Sequence, residues 1–172
     1  MANDHYPEPT EHLPYYGKYI ALVARKNIIE TLEEQRQVTF QFLGSIPQAK
    51  ADHRYAPEKW SIKEVVGHLV DSERVFAYRA LRFARADSLP LQGFDENHYV
   101  AHAEFAQCTL PDLANEFDLV RRSNILMFKQ FSDETWLRRG QANNAEVSVR
   151  ALAYIMAGHE LHHLDIIRKR YL

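Results

Sequence analysis

Nine histidines are spread through the 172 residues, and three of them fall in the stretch Gly158-His159-Glu160-Leu161-His162-His163. From Ser148 to Leu172 there is no proline, and Val149, Leu152, Ile155, Met156, Ile166 and Ile167 recur at helical steps of three and four. At about 100° per residue, His159 and His163 lie within the stripe set by Leu152, Ile155, Met156 and Ile166, with His162 on its edge. Two imidazoles one turn apart therefore face inward. Positive charges side by side in a low-dielectric core repel, so their burial asks for something that keeps both rings neutral and satisfied. A divalent metal does this, because histidines at i and i+4 can each aim a nitrogen at one ion about 2.0–2.1 Å away. The plain alternatives are a solvated, histidine-rich helix end, or one buried histidine bonded to a backbone carbonyl. The apolar register favours the metal.

A two-histidine pair holds a metal poorly, and catalytic zinc normally has three protein ligands and an open position. His68 is the third candidate, because it sits on another long helix near that helix's inward face. The stripe there is Ile62, Val65, Val66, Leu69, Phe76, Ala80 and Phe83, and His68 flanks it on the side shared by Val65, Ser72 and Arg79. By itself such a histidine reads as a rim residue; its convergence with the pair is tertiary and does not follow from spacing. Water or a substrate thiolate would then take the fourth position. His98 and His102 stand at helical spacing in a polar segment and read as solvated.

Two rival chemistries share these residues. His159-Glu160-Leu161-His162-His163 satisfies His-Glu-x-x-His, in which two histidines bind zinc and the glutamate is a general base. No His-x-x-Gly-x-x-His continuation follows, since the chain reads Leu164-Asp165-Ile166, and only nine residues remain after His163. Glu160, about 100° around the helix from His159, reads as a solvated residue and only a weak catalytic candidate. The other rival is a non-catalytic bundle, metal-stabilised or acting as a dimeric adaptor, with Glu64, Asp71 or Asp165 closing the site or supporting the imidazoles. Glu64 already has a capping role, and the two aspartates read as surface carboxylates. Cys108 precedes a helix start with no basic neighbour and reads as a packing residue.

Four amphipathic helices must position these groups. They are expected from about Asn27 to Leu43, from Ser61 to about Ala86, from Thr109 to about Phe131, and from Ser148 onward. Ser61 and Glu64 form a capping box at the second, and Thr109 with Pro111 starts the third. The connections 87–107 and 132–147 are long, the latter carrying an Asn143-Asn144 turn signal, and no stretch alternates long enough to be a convincing strand. Residues 1–18 read as an extended arm in which Pro7, Pro9 and Pro14 exclude a regular element and Tyr6, Tyr15, Tyr16 and Tyr19 pack on the domain. The organisation expected is an arm over 1–26 and a single all-α helix-bundle domain over 27–172. A net charge of −2 gives no nucleic-acid or anionic-membrane signature, and no apolar run approaches a membrane span. The first 17 residues lack the apolar centre of a signal peptide. The lone cysteine rules out an intramolecular disulfide framework and fits a reducing cytoplasm.

Trp60-Ser61-Ile62-Lys63-Glu64-Val65-Val66-Gly67-His68-Leu69, followed about ninety residues later by Ala157-Gly158-His159-Glu160-Leu161-His162-His163, resembles the DinB-like superfamily of bacterial four-helix-bundle metalloproteins. The resemblance spans roughly residues 27–170. It implies an up-down-down-up bundle and a divalent metal, zinc or nickel, held by His68, His159 and His163, with His162 unused. Characterised members include thiol transferases and isomerases that use low-molecular-weight thiols such as bacillithiol and mycothiol. The resemblance therefore implies thiol transfer or hydrolysis at a three-histidine site with an open water position, because a metal there acidifies a bound thiol or water. The partners implied are a small-molecule substrate or thiol cofactor, and a homodimer is one assembly open to such a bundle.

Overall fold

In a computed structural model describing residues 5–172, the chain forms α1 (Pro14–Ile20), α2 (Ile28–Ser45), α3 (Ile62–Ala84), α4 (Glu96–His102), α5 (Leu110–Phe128), α6 (Asp133–Leu137) and α7 (Val149–Ile166). Strands β1 (Arg139–Ala142) and β2 (Ala145–Ser148) precede α7. The first four residues of the expected arm lie outside the described residues. Local chemistry explains where the long helices begin. The Asn27 side chain accepts from the amides of Ile29 and Glu30, Ser61 and Glu64 cap α3 reciprocally, and Thr109 and Ser148 cap α5 and α7.

Two apolar clusters divide the core lengthwise. One joins the start of α2 (Ile28, Leu32), the ends of α3 (Phe83) and α5 (Phe128), and the start of α7 (Leu152, Ile155). The other joins the end of α2 (Leu43), the starts of α3 (Val66) and α5 (Leu113), and the end of α7 (Leu164). Helices α2 and α7 therefore run one way and α3 and α5 the other, which is the expected up-down-down-up four-helix bundle. Around it, α2 packs on α5, α5 on α3, and α3 on α7. Among the described residues no helix is long and apolar enough to cross a membrane.

Three local expectations differ from the structure. Pro9 and Pro14 do not exclude regular elements but start them: Pro9 opens a short 3-10 turn, Pro9–Glu11, and Pro14 lies in the first turn of α1, where a missing N–H would have had no helical partner. The 132–147 connection contains a two-stranded hairpin pairing Arg139 with Ser148 and Ala142 with Ala145. Its four-residue strands are too short for alternation to show. Asn143 and Asn144, with φ of 53° and 60°, make the tight turn that Asn tolerates. Finally, α7 is not amphipathic over its first three turns, because every residue from Ala151 to Glu160 is buried. Helix α1 covers the side of α7 that a plain bundle would leave to solvent. The approach is close at Gly158, where a Cβ would strike the Tyr19 carbonyl.

Candidate metal centre

The structure brings His68 of α3 together with His159 and His163 of α7. One nitrogen from each ring lies within 4.8 Å of the others, and no further His, Cys, Asp or Glu joins that cluster among the described residues. The Nε2 atoms of His68 and His163 are each 3.1 Å from Nε2 of His159. Nitrogens held by a tetrahedral ion at about 2.0–2.1 Å stand about 3.3–3.4 Å apart, so these two spacings are close to those of ligands that share one ion. Each ring has one such nitrogen to present, and a set of three imidazoles suits a first-row transition metal ion or zinc.

Electrostatics point the same way. Burial holds the His68 pKa down at about 4. Burial, and then the imidazoles of His68 and His162, hold His163 at about 3, and His159 is pushed well below its ordinary value by burial and by His163 and His68. All three rings are therefore neutral near pH 7, the state in which imidazole donates to a metal. The triad is compatible with metal binding. Aromatic neighbours hold the rings in place, with Trp60 4.9 Å from His68, and Tyr19 and Phe76 at 5.5 and 5.8 Å in edge contact with His159.

The triad lies in the wall of a pocket of about 480 Å³. Tyr16 and Tyr19 of α1, Ser72, Phe76 and Arg79 of α3, and Phe94 form much of the rest. His162, half-buried, lines the pocket without joining the triad. His98 and His102 are exposed on α4, where their rings lie 4.0 Å apart and tilted, and Cys108 packs half-buried against the second apolar cluster. None of the carboxylates considered as a fourth donor reaches the cluster. Glu64 is held by Ser61 and Arg54, Asp165 by Lys169, and half-buried Asp71 has its carboxyl pKa raised by burial.

Glu160 overturns the expectation of a solvated residue. It is 1% exposed and points away from the pocket into a polar layer between the two apolar clusters. There it accepts a hydrogen bond from Thr39 of α2 and pairs with Arg121 of α5, whose Nη1 stands 2.7 Å from Oε2. That approach is off the hydrogen-bonding direction, and neither atom has another partner. Arg121 also donates to both Glu73 oxygens of α3, at 3.0 and 2.5 Å, and Asn124 adds a bond to Glu73 at 3.0 Å. Burial raises the Glu160 pKa, opposed by Arg121 and Thr39. The network was missed by sequence reasoning although a signal existed: Phe117, Arg121, Asn124 and Phe128 share one helical stripe, as do Leu69, Glu73, Phe76 and Ala80.

The DinB superfamily model matches residues 31–167. The chain belongs to the DinB superfamily. Among solved structures, this DinB-superfamily chain is similar to YfiT from Bacillus subtilis, described as a probable metal-dependent hydrolase with an unusual four-helix bundle topology, with a TM-score of 0.74 over 98% of both chains at 16% identity. It is also similar to a mycothiol-dependent maleylpyruvate isomerase, with a TM-score of 0.67 at 10% identity, covering 85% of this chain and 62% of that one. At such identities the likeness is one of fold. Comparison with curated proteins finds no match.

Proposed function

We propose that this DinB-superfamily protein is a metal-dependent enzyme of thiol transfer or hydrolysis, in which His68, His159 and His163 hold one divalent ion, zinc or nickel. The observation that carries the reading is three neutral imidazole nitrogens converging on the wall of an open pocket, with no fourth protein donor beside them among the described residues. When bound, such an ion is a Lewis acid that generates a thiolate or hydroxide nucleophile near neutral pH. The protein's own part is to keep the imidazoles unprotonated by burial and to hold their rings with Trp60, Tyr19 and Phe76. Tyr16, Tyr19, Phe76 and Phe94 give the pocket beside the histidines an aromatic lining.

The proposed co-substrate is a low-molecular-weight thiol, a reading supported by the mycothiol-dependent neighbour; YfiT supports hydrolysis. The lone cysteine supports a cytoplasmic setting. A purely structural metal is disfavoured because such sites are normally closed by a fourth protein ligand. The experiment is elemental analysis of untagged protein. About one equivalent of zinc or nickel is expected, lost in each of His68→Ala, His159→Ala and His163→Ala and retained in His162→Ala. Metal retained without His68, or none taken up by wild type after zinc and nickel are supplied, would refute the three-histidine centre. Loaded protein is then assayed with thiols and electrophiles, and with esters and amides, to separate transfer from hydrolysis.

A further inference from the structure

Two arginines are buried in this bundle, and their surroundings are opposite. Arg121, fully enclosed, stands between Glu73 and Glu160. Arg79, only 5% exposed, has no carboxylate within ion-pair distance among the described residues. Its Nη2 donates to the Gln92 carbonyl at 3.1 Å, the Tyr16 hydroxyl is beside it, and the Phe94 ring is 5.9 Å away. A guanidinium keeps its charge at any physiological pH and presents five N–H donors, so most of the donor capacity of Arg79 is left to the pocket it lines. Ser72, which lies between His68 and Arg79 on the pocket's α3 face, is 1% exposed, and its hydroxyl has no hydrogen-bond partner among the described residues. An uncompensated buried cation and an unpartnered buried hydroxyl on one pocket wall are what an anionic ligand would satisfy.

Resting on the metal-dependent reading above, we infer that this pocket takes a small organic carboxylate, with Arg79 and Ser72 as its anion-binding donors and Tyr16, Phe76 and Phe94 enclosing its apolar body. The planar fork of a single arginine matches a carboxylate in bidentate fashion. A doubly charged phosphate would want more donors, and neither a glycine-rich cradle nor the N-terminus of a long helix faces this wall. The two cations that line the pocket, Arg79 and Lys18, outnumber its one acid among the described residues, the exposed Glu96. Arg79 follows His68 by eleven helical steps, about 16 Å along α3, and both side chains lean toward its N-terminus. Ser72 stands one turn from His68, about 6 Å along the axis, and Arg79 about two turns farther, so the carboxylate lies between those two levels on donors distinct from the histidines.

The test is calorimetric titration with phenylbutyrate and phenylhexanoate, each against its neutral amide. Protein of measured metal content is used as purified and again after chelation. Wild type should prefer acid over amide by about ten- to a hundredfold, as the loss of a charge-assisted pair implies. Arg79→Gln should abolish that preference, Arg79→Lys should recover part of it, and Ser72→Ala should weaken acid binding severalfold. Because the donors belong to the protein, the preference should survive chelation. Thermal unfolding of each variant checks its fold, and Arg79→Lys carries the test if Arg79→Gln fails to fold. Equal binding of acid and amide, binding of neither, or a preference that survives Arg79→Gln but disappears on chelation would overturn the inference. Metal content is read separately, so protein that holds metal without preferring the acid sinks only the carboxylate site. Protein that prefers the acid yet never takes up metal sinks only the metal reading.

Discussion

Arg121→Met keeps nearly the volume of the side chain but removes the charge that joins three helices. Glu73 and Glu160, 3% and 1% exposed, would be left without their shared cation. Breaking a buried pair by deleting one partner costs about 3–5 kcal/mol, because an uncompensated charge remains inside. Here one deletion strips two carboxylates, which argues for the upper part of the range. Each carboxylate keeps one donor, Asn124 on Glu73 and Thr39 on Glu160, which argues for the lower part. The expected loss is therefore about 4 kcal/mol, or about 8–16 °C in melting temperature at 2–4 °C per kcal/mol for a domain of this size. Urea unfolding at pH 7 measures it, with an unchanged slope showing that surface exposed on unfolding is the same. The control is the triple variant Arg121→Met, Glu73→Leu, Glu160→Leu, which removes every charge of the layer and should recover most or all of the loss. A single variant that loses less than about 1 kcal/mol, or a triple variant no better than the single, would show that packing rather than charge pairing holds the layer.

Glu160→Gln should leave metal content unchanged and any metal-dependent turnover within a few-fold, because the side chain points into the polar layer; removing a general base would instead cost about a hundred- to ten-thousandfold in rate. In an ordinary helix interior Gly158→Ala would gain about 1 kcal/mol, but here its Cβ meets the Tyr19 backbone. A net loss of about 1–3 kcal/mol and faster tryptic cleavage after Lys18 and Arg25 are expected, and a raised melting temperature with α1 still protected would contradict the contact. Burial alone would raise the Glu11 carboxyl, yet Arg150, Ser148 and the Glu8 amide hold it near pKa 2 against an ordinary 4.5. Its folded pKa is depressed, so its contribution is complete above about pH 4.5 and disappears as pH falls toward 2. Glu11→Gln should lower stability at pH 7 by about 1–3 kcal/mol and flatten the acid limb of the urea midpoint between pH 5 and 3; identical limbs would remove Glu11 from the account.

The bundle helices were legible because their apolar steps and caps are local. Asn27, Ser61, Thr109 and Ser148 each mark a start that their own next three residues satisfy. His159 and His163 were legible for the same reason, being one turn apart. His68 was legible as a candidate on the inward flank of its helix, but its meeting with His159 across 91 residues of chain came only from the resemblance. Glu160 was misread because amphipathic reasoning assumes one wet face, whereas α1 covers that side of α7. Arg79 and Ser72 stood in the sequence on the same flank as His68. What no spacing could show is that Arg79 lacks a counter-charge among the described residues while Arg121 has two, because that depends on what other helices bring.

The polar layer also acts as an index pin for α7. Glu160 meets Thr39 across 121 residues and Arg121 from yet another helix, and apolar packing above and below would tolerate sliding far better than these directional partners do. Sliding α7 by one turn, about 5.4 Å, would take Glu160 out of reach of both and carry His159 and His163 past His68 by the same amount. The height and rotation of the two histidines are thus set by the residue between them that points the other way. Substitutions in Thr39, Arg121 or Glu73, none of which touches an imidazole, should therefore appear as altered nitrogen spacing in the triad before they appear as loss of the fold.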